Sequence, residues 1–86
     1  MTHLDLISAA IALAFAVTSA LSAIKCQESS DHASSIHPSS IILPFFVNLW
    51  FVYFYAAAGF YVASVAEVLC VASYGWWWLE FRRMTA

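Results

Sequence analysis

The chain has 86 residues, 64% of them hydrophobic and 9% charged, against the roughly one-quarter charged share of soluble domains. So short a chain has no room for a soluble core around an enclosed active site. A formal net charge of −2 with three Lys and Arg residues excludes nucleic-acid binding, which rests on many phosphate-neutralising cations. The expectation is an all-α membrane protein, a two-pass transmembrane helical hairpin whose long second helix kinks or protrudes.

Residues 1–5 read as an N-terminal tail and 6–24 as transmembrane helix 1. This run is uncharged, and at helical rise it reaches about 28 Å, close to the ~30 Å hydrocarbon core. A cleaved signal peptide is the competing assignment, with Ala20-Leu21-Ser22 as a small-x-small site. The residues before the run hold Asp5 and no Lys or Arg, so the segment is expected to be retained; the same feature weakens a transit-peptide assignment, which calls for an Arg-rich, acid-poor leader. Ser8, Ala12, Ala16 and Ala20 recur every four residues beside a bulkier stripe of Leu4, Ile7, Ile11 and Phe15. Small residues so spaced let another helix approach closely, although alanine is common in such helices anyway.

Residues 25–40 are the polar stretch, with six serines, and read as the hairpin loop. His32 and His37 lie near Glu28 and Asp31, but no thiolate pair or second ligand cluster completes a site, so no metal is expected. Ser39-Ser40 is a candidate cap for the next helix, with Pro44 tolerated in its first turn.

Residues 41–79 form a long apolar helical segment containing transmembrane helix 2 and one charged residue, Glu67. As one helix it would reach about 58 Å, twice what a crossing needs. An aromatic block with Trp50 opens it and a second with Trp76, Trp77 and Trp78 closes it, followed by Arg82 and Arg83 in the basic tail 80–86. Trp and Tyr favour the headgroup level and Arg fixes a helix end, so these six residues are the expected interface anchors. The favoured crossing is then 50–76, with Glu67 inside the hydrocarbon. A crossing over 41–62 instead leaves Glu67 near the surface. A hairpin puts both termini on one side, which the two arginines assign to the matrix, stroma or cytoplasm.

Gly59, Ala63 and Glu67 recur at four-residue spacing, so Gly59 and Ala63 join the expected packing face and the carboxylate projects from it. An intramembrane carboxylate costs about 2.5 kcal/mol or more when charged, and it pairs, protonates or lines a polar path. In its hairpin topology and its second-helix acid, the chain resembles the rotor-ring proteolipid of ATP synthases. That resemblance implies that Glu67 carries a proton or sodium ion. The chain departs from the family in having no glycine in its first helix and no Arg-Gln-Pro-like turn in its loop.

Cys26 and Cys70 fall near opposite membrane faces of the hairpin and are not expected to pair with each other. The three histidines lie outside the expected crossings, which argues against haem. A chlorophyll ligated by Glu67 or Asn48, or a carotenoid on the aromatic wall, is a lesser alternative; otherwise no cofactor beyond structural lipid is expected. No nucleophile, base and orienting group occur together, so no enzyme and no catalytic residue is expected. The expected role is a small accessory subunit that stabilises or helps assemble a large energy-transducing membrane complex, respiratory chain or ATP synthase, among other integral subunits and lipids. A mitochondrial inner membrane is favoured, with a thylakoid or bacterial inner membrane as alternatives. The rival functions are an ion-conducting or proton-carrying oligomer using Glu67 and a pigment-associated photosystem subunit.

Overall fold

The computed structural model describes residues 3–85, the side chain of His32 excepted. It contains α1 (His3–Glu28), α2 (Ser30–Ser34), α3 (Ser39–Ala57) and α4 (Tyr61–Thr85). Three of these, α1, α3 and α4, are long and apolar enough to cross a membrane. The two-pass hairpin is therefore corrected to a three-helix arrangement, consistent with an integral membrane protein.

The correction comes from Gly59, which sits at φ 84 between α3 and α4. Ala58 is the C-cap of α3; the Gly59 N–H donates to the Ala56 carbonyl at 3.2 Å and the Phe60 N–H to the Tyr55 carbonyl at 2.8 Å. These are the two backbone bonds of a Schellman stop, which needs the left-handed conformation that glycine adopts without steric cost. Tyr55 and Phe60, the apolar pair that accompanies such a stop, bring their rings to 6.2 Å. The apolar run 41–79 is thus two helices joined by a tight turn. Gly59 is exposed at that turn and is not part of a helix-packing face.

The polar stretch is also more ordered than a loop. Helix α1 continues through Lys25 to Glu28, and α2 follows as a short turn of helix. Pro38 caps α3 without a side-chain hydrogen bond, while the Ser39 hydroxyl lies 2.7 Å from His37 Nδ1.

Helix α4 is the middle element. It packs against α1 on one side and α3 on the other, and the α1 and α3 backbones stay apart among the described residues. Asp5 near the start of α1 meets Ala63 near the start of α4, so these two helices run parallel. Ile41 near the start of α3 clusters with Tyr74 and Phe81 late in α4, so α3 is antiparallel to both. The start of α1 and the end of α4 consequently lie at opposite ends of the bundle, and the hairpin's shared side for both termini is lost. Lys25, Arg82 and Arg83 all fall at the α2 end.

The α1·α4 seam follows a heptad. On α1 the buried residues are Asp5, Ala9, Ala12, Ala16, Ser19, Ala23 and Cys26, spaced alternately four and three apart. Buried Ala63, Glu67, Cys70, Tyr74 and Phe81 of α4 keep the same phase, with half-buried Trp77 filling the place between the last two. A repeat averaging 3.5 residues keeps two helices in register along a left-handed crossing. Small residues at every buried α1 position but Asp5, four of the seven being alanine, let the backbones approach, which drives association where lipid removes the hydrophobic contribution.

Candidate functional site

Glu67 stands on this seam, one turn past Ala63 and one before Cys70, and is 6% exposed. Ala9, Ala12, Ala63 and Ala66 form a small-residue cluster on the same stretch of the seam, with Tyr55 and Phe60 packed against them. None of these side chains offers a donor except the Tyr55 hydroxyl, and the Glu67 Oε2 is buried without a hydrogen-bond partner among the described residues. The Trp77 indole N–H, further along the seam, is in the same condition, its ring stacked on Tyr74 at 5.9 Å.

A second buried carboxyl belongs to the same seam. The Ala63 N–H donates to Asp5 Oδ1 at 2.8 Å, and Asp5 is 3% exposed. Four backbone N–H groups at a helix start have no partner within the helix, and their partial positive charge favours an anion. Asp5 therefore caps α4 from another helix. Glu67 lies four residues beyond Ala63, about 6 Å along the α4 axis, so both carboxyls occupy the first two turns of the seam.

Four other polar side chains of the long helices donate to backbone carbonyls. Ser64 donates its hydroxyl to the Val52 carbonyl at 3.0 Å, tying α4 to α3, and Asn48 donates to the Pro44 carbonyl at 2.6 Å. Ser19 and Ser73 bond carbonyls four residues back in their own helices. No group of three or more His, Cys, Asp and Glu able to hold a metal occurs among the described residues. Chemically, the seam can hold or release a proton at Glu67 or take a hydrogen bond there.

The residues singled out from sequence are distributed as follows. Ala12, Ala16 and Ala63 are buried on the seam, while Ser8 and Ala20 are half-buried beside it. Trp50 is 60% exposed midway along α3, away from either helix end. Trp76, Trp77 and Trp78 gather near the end of α4 with Arg82 and Arg83, and Arg83 pairs with Glu80 at 2.7 Å. Cys26 and Cys70 are both buried and free. Sequence reading missed the cap by Asp5, the link from Ser64 and the 4-3 spacing of the alanines. Asp5 stands alone at the head of an apolar helix, and that isolation was the signal.

Two apolar grooves flank α4 on its outer side. The larger, about 720 Å³, lies between α3 and α4 at the α2 end, with Phe45, Phe46, Gly75, Trp76 and Trp78 in its walls. The smaller, about 420 Å³, lies between α1 and α4, and Ala72 and Trp76 border both. No protein-family model, curated protein or solved structure matches the chain.

Proposed function

We propose that this chain is a non-catalytic accessory subunit that stabilises or helps assemble a large energy-transducing membrane complex, contributing three crossings to it. The observation that carries the reading is the outer face of α3. Among its buried residues α3 counts only Ile41, and it turns Leu43, Phe46, Val47, Trp50, Tyr53 and Phe54 outward. Leu43, Phe46 or Val47, Trp50, and Tyr53 or Phe54 repeat the same three-and-four spacing as the α1·α4 seam. This stripe suits a partner helix of another subunit, and the indole and phenol tips, which have no hydrogen-bond partner among the described residues, would then find one across the interface. Lys25, Arg82 and Arg83 at one end orient that end toward the matrix, stroma or cytoplasm. A respiratory-chain or ATP synthase complex of the mitochondrial inner membrane is the setting we favour.

Mild-detergent native electrophoresis of the source membrane, with mass spectrometry counting copies, tests this. One or two copies in the band of a large complex, and a photo-crosslinker at position 50 capturing one defined subunit, support it. A ring of many identical copies overturns it and favours the second reading, a proton-carrying oligomer. That alternative rests on the buried, unpartnered Glu67 oxygen, and Glu67→Gln would then abolish proton movement.

A further inference from the structure

We propose that the groove between α3 and α4 seats one acyl chain of an anionic phospholipid, whose phosphate is held by Arg82. The inference rests on the membrane-spanning assignment of these helices and goes beyond the accessory role.

The groove's size falls in the ~300–1,000 Å³ range of small-ligand sites, and its walls are almost wholly apolar: Ile42, Phe45 and Phe46 from α3, Gly75, Trp76 and Trp78 from α4. Gly75 faces the Phe45 ring across it: a Cβ there would stand 3.6 Å from the ring in ordinary contact, so a longer side chain would fill the space. Its depth selects the occupant. Its α4 wall rises about 10 Å from Ala72 to Leu79, and Arg82 stands about 5 Å further on, so groove and guanidinium together span about half of the ~30 Å hydrocarbon core. A partner helix would need a groove of full bilayer depth, whereas an acyl chain of one leaflet needs half.

The headgroup end is marked by charge. The Arg82 guanidinium lies 5.7 Å from the centroid of the Trp78 ring, itself a wall of the groove. Arg83 is paired with Glu80, whereas Arg82 has no carboxylate partner among the described residues. Its five donors suit a phosphate, and the α4 wall of the groove ends at Leu79, three residues before Arg82 and at the end of the bundle that carries Lys25, Arg82 and Arg83. By the charge rule that end meets the cytoplasm-type leaflet, where anionic lipid is concentrated.

The test uses the full chain carrying Trp50→Phe, which leaves the Trp76–Trp78 cluster as reporter, in vesicles where either phosphatidylglycerol or phosphatidylcholine bears brominated acyl chains. Expected is quenching by the brominated phosphatidylglycerol with an apparent affinity about fivefold above that of phosphatidylcholine, the ratio one Arg near an anionic surface supplies. Arg82→Gln should bring the ratio close to one, Arg82→Lys should keep most of it, and Arg83→Gln should leave it unchanged. Gly75→Leu should weaken quenching by both lipids. Equal quenching by the two lipids in the unaltered groove overturns the site while leaving the membrane assignment intact. Absence of quenching by either overturns the site and the membrane assignment with it.

Discussion

The two faces of α4 solve the same packing task with different means. Against α1 it presents a continuous buried seam of small residues with an Asp5 cap at its head. Against α3 it makes a contact rooted at Ile41, a hydroxyl link from Ser64 to Val52 and an open apolar groove. The difference follows from connectivity. Helices α3 and α4 are joined by a tight turn, so little closure entropy opposes their meeting. Helices α1 and α4 are separated by all of α2 and α3, and their seam must supply its own attraction. Close alanine packing and a charge on a helix dipole provide it.

Overfilling the seam should have the largest effect. Ala63 is fully buried among Ala9, Ala12 and Ala66, so Ala63→Leu should destabilise by ~1–3 kcal/mol, read as a lower midpoint when detergent-solubilised protein is titrated with a denaturing detergent. A midpoint equal to wild type would show that the seam is loose and the comparison mistaken. Next is the turn that spares α3 such a seam. Nothing lies within 4 Å of a Cβ built at Gly59, so Gly59→Ala should cost ~1–2 kcal/mol through its left-handed backbone alone, and Gly59→Asn less.

Asp5→Ala should cost ~1 kcal/mol by removing the cap. Asp5→Asn keeps an acceptor for the Ala63 N–H and should lose only the charge–dipole part, ~0.3–1 kcal/mol. Circular dichroism during the same titration reads both. If Asp5→Asn costs as much as Asp5→Ala, the charge rather than the hydrogen bond holds the two helices.

What the sequence made legible is what local pattern controls. An apolar helical chain, a polar connection after the first long helix, and a carboxylate on a small-residue face all follow from composition and spacing. The division of the long apolar segment into two helices did not, because Ala-Ala-Ala-Gly-Phe carries no polar residue, and its turn is encoded by one backbone angle and the Tyr55 and Phe60 rings. The role of Asp5 was hidden for another reason: its partner lies 58 positions away, and no periodicity within one helix reports such a pairing. The four-residue stripe of Ser8, Ala12, Ala16 and Ala20 drifts round the helix, whereas the seam alternates four and three. That is why Ala9, Ser19 and Ala23 are buried while Ser8 and Ala20 stand at its edge.

The smallest effect belongs to the side of α4 that the turn already secures. Ser64 is 9% exposed and donates across to Val52 at 3.0 Å, a bond between two helices that cannot separate far. Interhelical hydrogen bonds in membranes average only ~0.6 kcal/mol, because the unfolded chain also finds partners for its polar groups. Ser64→Ala should therefore shift the denaturing-detergent midpoint by about that much, and less than Asp5→Ala does. Placed on the Gly59→Ala background, the same change should cost more than alone, since α3 is then less firmly held beside its partner. Strict additivity of the two changes would mean that α3 is held to α4 by side-chain packing at Ile41 and Phe45 and that the turn contributes little.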